Sequence, residues 1–216
     1  MKPILTIETL IESAGIFRKE ESKRNHAALI GATDGKTVGT YVEHRFQDFL
    51  QSRYQCEIGN SASGIDLPGE NIQTDIKVTS VRQPQSSCPF RNARQKIFGL
   101  GYNLMLFVYE KTDAENACFL RFPYCAFIDR NRTGDFTTTK RLREMVSDGA
   151  NREDIIAFLQ DRNVPGDEIV YGALADEILS CPPEQGYLTV SNALQWRLQY
   201  ARVIELRNGV SGVVNL

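Results

Sequence analysis

Histidine and tryptophan are scarce in this 216-residue chain, with only His26, His44 and one tryptophan. Its five cysteines (Cys56, Cys88, Cys118, Cys125 and Cys181) include no Cys-x-x-Cys pair. With so few nitrogen and sulfur ligands, a structural zinc site is not expected. Free thiols in a reducing compartment fit this pattern, a Cys118–Cys125 bridge being the rival reading. The longest strongly apolar run, Leu104 to Tyr109, is six residues, far short of a membrane span. The N-terminal residues show neither the apolar stretch of a signal peptide nor the Arg-rich, acid-poor character of a transit peptide, so a cytoplasmic protein is expected. Absence of a Walker-type glycine-rich loop argues against a nucleotide cofactor. No Ser-His-Asp or Cys-His nucleophile system is visible, and there are no internal repeats. What is present is ordinary globular composition, 42% apolar and 24% charged, enough for one core-bearing domain with at most a small appendage.

The net charge of −2 is unevenly spread. Residues 144–185 hold ten acids against two bases, Arg152 and Arg162, so the remainder of the chain is net positive. Lys77 to Lys96 holds Lys77, Arg82, Arg91, Arg94 and Lys96 with no acid, and Arg121 to Arg143 holds six bases against Asp129 and Asp135. A polyanionic partner follows the local patch rather than the total. The plainer reading of each patch is a solvated charged face.

Apolar periodicity predicts helices over 7–24 (Ile7, Leu10, Ile11, Ala14, Phe17) and 38–54 (Val38, Val42, Phe46, Phe49, Leu50), with Glu43 at the edge of the second stripe. Strand-like pieces follow at 54–58, 64–67 and 72–79, with a turn at Pro68-Gly69. A helix is expected over 91–103. A doubly buried strand follows at 104–110, with further strands at 117–122 and 124–128. This is an α/β order with a mixed central sheet. Three acidic helices are expected at 139–147, 152–161 and 167–180, and another helix over 190–205 before a possible hairpin at Asn208-Gly209. The expected division is a core over 1–136, an acidic helical insertion over 137–181, and a return to the core over 182–216.

The chemistry concentrates on β-type sequence. Asp66 lies in Gly64-Ile65-Asp66-Leu67-Pro68, and nine residues later comes Thr74-Asp75-Ile76-Lys77-Val78-Thr79. On a strand Asp75 and Lys77 leave the same face, and a hairpin turning at Pro68-Gly69-Glu70 would bring Asp66 beside Asp75. Two carboxylates and an ammonium at one sheet edge are what metal-assisted phosphodiester hydrolysis requires. Magnesium prefers oxygen ligands, activates water and the phosphate, and a nearby cation stabilises developing charge. Two other acid-x-Lys triplets, Glu21-Ser22-Lys23 and Asp34-Gly35-Lys36, lack the flanking strand residues. An ordinary surface ion pair is the competing reading.

These residues resemble the PD-(D/E)XK nuclease superfamily, and most closely its type II restriction endonucleases, over about residues 38–128. Ile65 stands where that family often has proline. The resemblance implies a restriction-endonuclease-like mixed sheet flanked by helices and sequence-specific cleavage of double-stranded DNA with Mg2+. It implies Asp66, Asp75 and the Ile76 carbonyl as metal ligands, Lys77 positioning the attacking water, and Glu43 assisting from the preceding helix. For Glu43 a solvent-facing helix acid remains an equal reading, and His44 is expected on the helix surface. Cutting both strands at a palindrome implies a homodimer. Arg82, Gln83 and Gln85 in the loop after the catalytic strand, and Arg91, Arg94 and Gln95 at the next helix start, are the residue types that read guanine and adenine. Two alternatives stand beside this. One is a repair or recombination nuclease of the same fold. The other is a non-catalytic DNA-binding regulator, with Gln195, Arg197, Gln199 and Arg202 on a C-terminal winged-helix-like element.

Overall fold

A computed structural model describes residues 2–59, 64–88, 92–191, 197–207 and 209–216. The chain divides into two units: Met1–Ser86 with Tyr102–Ile128 and Arg207–Leu216, and Ser87–Gly101 with Asp129–Leu206.

In the first unit, α1 (Ile7–Glu21) starts at a capping box in which Thr6 and Thr9 satisfy each other's backbone amides. It buries Leu10, Ala14 and Phe17. The second helix, α2 (Gly35–Arg53), begins three residues before the expected start because Asp34 accepts from the Thr37 amide at 2.8 Å and caps it. Val38, Val42, Phe46 and Leu50 recur every fourth position and are all buried. The sheet they cover has the order β1 (Thr74–Ser80), β3 (Asn103–Ala114), β4 (Ala117–Ile128), β7 (Val213–Asn215). β1 runs parallel to β3, while β3–β4 and β4–β7 are antiparallel, so the sheet is mixed, as the element order implies. Phe17 and Phe46 from the helices meet Phe107 of β3 at ring-centroid distances of 5.6 and 4.9 Å. Tilted and edge-on rings of this kind bind the helical layer to the sheet.

The break expected between two strands at Pro123 is a bulge inside one strand. Val108 pairs with Tyr124 but Glu110 pairs with Arg121, so Tyr109 faces the Phe122-Pro123 pair. The proline, which has no N–H, sits where the ladder is already interrupted. Short β2 (Gln85–Ser87) carries the chain to the unit boundary.

In the second unit the expected helix over 91–103 contracts to α3 (Arg94–Phe98). Gly99 and Gly101, both at φ 88°, end it in a left-handed conformation. The three acidic helices are present as α4 (Phe136–Ser147), α5 (Arg152–Asp161) and α6 (Glu168–Ser180), each N-capped by a side chain: Asp135, Asn151 and Asp167. They enclose Leu142, Ile155, Leu159, Leu174 and Ile178. The helix expected over 190–205 is not formed among the described residues. Strands β5 (Thr189–Val190) and β6 (Arg197–Gln199) pair antiparallel, and only α7 (Ala201–Ile204) is helical. Leu198 and Tyr200 are buried while Arg197 and Gln199 are exposed, the period of two that a strand imposes. None of the five cysteines is in a disulfide among the described residues. No helix of the described residues is long and apolar enough to cross a membrane.

Candidate active site

The site is built on β1, the edge strand of the four-stranded sheet. Its approach is fixed by a turn in which the Ile72 and Gln73 amides donate to the Gly69 carbonyl at 2.8 and 2.9 Å. Leu67 and Thr74 then exchange both backbone hydrogen bonds at 3.0 Å. This is the expected hairpin, reduced to one bridge. It sets Asp66 one residue before the bridge and Asp75 one residue after it. The edge that Thr74 turns to Leu67 is presented again at Ile76, two residues on. There the Ile76 amide donates to Asp66 Oδ2 at 2.7 Å, and the Ile76 carbonyl leaves along the same edge. Gly59 donates its amide to the Asp66 carbonyl at 2.8 Å. A Cβ at Gly59 would stand 2.0 Å from the Ile65 carbonyl oxygen, so only glycine permits this crossing beneath Asp66.

Asp75 and Lys77 leave one face of β1, and Lys77 Nζ lies 2.6 Å from Asp75 Oδ2. Asp75 is buried. Its carboxyl is pushed up to about 7, first by burial and further by its hydrogen bond to Asp66 and the Asp66 charge, against the pull of Lys77. From α2, Glu43 enters the same cluster. Its carboxyl is also raised, by burial first and by the Asp75 charge, while His44, Lys77 and a hydrogen bond with Asp66 oppose the shift. Glu43 is therefore half-buried and turned toward the strand, not a solvent-facing helix acid, whereas His44 is exposed as expected. Three carboxylates share this place with one ammonium.

Hard oxygen donors with an excess of negative charge suit a divalent cation such as magnesium. Among the described residues no group of three or more His, Cys, Asp or Glu side chains forms a metal cage. Magnesium suits a site with few protein ligands, because it keeps several of its waters.

The other sequence-predicted residues divide. Arg82 and Gln83 are exposed at the tip of the loop leaving β1, and Gln85 is half-buried at its end. Arg94 and Gln95 lie in the second unit and are engaged there. The Arg94 guanidinium grips Glu177 of α6 through three contacts of 2.6–3.0 Å. Gln95 Nε2 donates to the Leu100 carbonyl at 3.2 Å. Arg91 and Gln195 lie outside the described residues. Lys96, counted in the basic stretch, is buried in the field of Asp135, and burial lowers its pKa. Arg202 stacks over the Phe136 ring at 4.0 Å, Arg197 and Gln199 lie on β6, and among the described residues of 190–205 only Ala201–Ile204 is helical. Thr79 continues the Asp75, Lys77 face of β1 at the next alternate position.

Acids and an ammonium gathered at a sheet edge, with no side-chain nucleophile and base among them, suit hydrolysis by activated water, and the class is that of the nucleases. The family model for the type II restriction enzyme NspV matches residues 4–215. The chain is 52% identical over 215 residues to the type II restriction enzyme NspV of Nostoc sp., covering 99% of this chain and 97% of that one. It belongs to the NspV family of type II restriction enzymes and is a site-specific deoxyribonuclease. No solved structure matches it.

Proposed function

We propose that this restriction endonuclease cuts both strands of double-stranded DNA in the PD-(D/E)XK manner, with Mg2+ held by Asp66, Asp75 and the Ile76 carbonyl. The observation that carries this reading is the convergence of Glu43, Asp66, Asp75 and Lys77 on one edge of β1. Bound magnesium supplies Lewis-acid polarisation of the scissile phosphate and a lowered pKa for water. The protein's own groups do the rest. Asp66 is held in place by the Ile76 amide and would give its carboxylate to the cation. Asp75 must lose its proton before it can serve as a ligand, and Lys77 favours that loss. The Lys77 ammonium orients the attacking water and stabilises charge growing on the phosphate oxygens. Glu43 would assist as a ligand to the metal or to that water.

Arg82, Gln83 and Gln85 follow the catalytic strand and are the base-reading candidates that the first unit offers to a groove. Arg94 and Gln95 would have to give up Glu177 and Leu100 to read DNA. Two cuts at a palindrome require two equivalent sites, so the working form is a homodimer, acting in the cytoplasm. Sedimentation of the free and DNA-bound protein checks the dimer, and a monomer in both would refute it. The chemistry is checked on a duplex carrying the recognition site, once digestion of phage DNA in magnesium has mapped it. Asp66→Ala and Lys77→Ala should bind it in calcium about as tightly as wild type and fail to cut in magnesium, because affinity comes from phosphate and base contacts elsewhere. Cutting by either variant at near wild-type rate would overturn the assignment.

A further inference from the structure

We propose that Thr79 is a positioning residue that locks the 80–85 loop to the catalytic strand and thereby sets sequence discrimination. The inference rests on the reading of Asp75 and Lys77 as catalytic and of that loop as DNA-facing.

Thr79 is buried, at 6% exposure, two residues beyond Lys77 on the same face of β1. Its hydroxyl lies 3.1 Å from the Gln83 carbonyl and 3.0 Å from the Gln85 carbonyl, and it accepts from the Gln85 amide at 3.2 Å. One side chain thus joins the last turn of the strand to both shoulders of the loop. Local bonds complete the clasp. Val81 donates to the Tyr109 carbonyl at 2.8 Å, Gln83 to the Ser80 carbonyl at 3.2 Å, and Arg82 to Ser80 Oγ at 3.3 Å. Arg82 and Gln83 stand exposed at the tip of a loop that is tied at its base.

The geometry couples reading to cutting. Along a strand Thr79 stands roughly 7 Å from Lys77 and 13 Å from Asp75, the rise of about two to four base-pair steps along the duplex axis. A loop fixed to Thr79 is fixed at that distance from the reacting phosphate. A loop released from it can follow a non-cognate base pair while the phosphate stays in place. The hydroxyl touches no reacting atom; its effect is on where Arg82 and Gln83 can be. Valine replaces threonine without changing shape or strand preference, and serine returns the hydroxyl.

The test measures kcat/KM on the mapped site and on duplexes differing from it by one base pair, for wild type, Thr79→Val, Thr79→Ser and Arg82→Ala. Thr79→Val should lower the cognate-to-variant ratio about tenfold, within the range of a base contact, mainly by accelerating variant-site cleavage, with cognate kcat within a few-fold of wild type. Thr79→Ser should restore the ratio. An unchanged ratio in Thr79→Val overturns the proposal, as does equal loss in the valine and serine variants, or loss of kcat on all sites alike. Arg82→Ala judges the underlying reading separately. If it alters discrimination while Thr79→Val does not, the loop reads DNA and Thr79 does not position it. If it alters neither affinity nor discrimination, the DNA-facing reading of the loop fails.

Discussion

Asp75→Asn should make the metal-free protein more stable than wild type at alkaline pH and remove that advantage at acid pH. The Asp75 carboxyl titrates near 7 in the fold, chiefly because it is buried, against about 3.9 in an unfolded chain. Between those values the folded state binds the extra proton. Stability from this group is therefore full below about pH 4 and falls by about 1.36 kcal/mol per pH unit until it levels above 7. Between pH 5 and pH 8 the loss is about 3 kcal/mol, which for a chain of this length moves Tm by roughly 6–12 °C. The asparagine variant does not titrate here, so its Tm should stay behind by no such slope. The pull of Lys77 on the ionised carboxyl is already contained in the value near 7, so it is part of the wild-type slope and not a separate contribution. Melting both proteins in chelator at half-unit steps from pH 5 to pH 8 reads the difference. Parallel curves would refute the reasoning. Magnesium at pH 8 should raise the Tm of wild type and not of the variant, since a ligand that binds only the native state stabilises it.

Three further outcomes follow from named contacts. Phe107→Ala, emptying a buried position between Phe17, Phe46 and Phe122, should cost about 3–5 kcal/mol in denaturant unfolding; under 1 kcal/mol would contradict the packing. Gly59→Ala should displace Ile65 and Asp66 and reduce cleavage far more than calcium-supported DNA binding, because its Cβ meets the Ile65 carbonyl; wild-type turnover would show that the crossing is not required. Arg82→Ala should weaken cognate binding by about 1–3 kcal/mol and random-duplex binding much less, whereas Arg94→Ala, whose guanidinium is already held by Glu177, should leave both nearly unchanged; the reverse order would mean that the Glu177 pair opens to DNA.

Local rules made most of this legible. The stripes on α1 and α2, the Pro68-Gly69 turn and the Asp75, Lys77 alternation each name a face, and faces are what the sheet and helices assemble. Two of the acidic helices, α5 and α6, begin within a residue of the expected start, whereas α4 begins at Phe136, three residues before it, because Asp135 caps it. Sequence and structure part where spacing suits two periods or where a partner is remote in the chain. Leu198 and Tyr200 stand two apart, a strand interval taken for a helix. Gly99-Leu100-Gly101 marked the end of α3, which periodicity alone carried to Asn103. Arg94 looked free for DNA because its partner, Glu177, lies 83 residues away. Lys96 was counted with a surface patch for the same reason, its field coming from Asp135. The inward turn of Glu43 depends on how α2 lies against β1, which no local pattern encodes.

Single-turnover cleavage of a duplex bearing the mapped site, by wild type and Asp75→Ala in magnesium, tests the central claim most directly. The account expects a loss of at least about a thousandfold in rate, since removing this carboxylate removes a metal ligand and the partner of Lys77, with calcium-supported binding retained. Cleavage by Asp75→Ala within tenfold of wild type would contradict it.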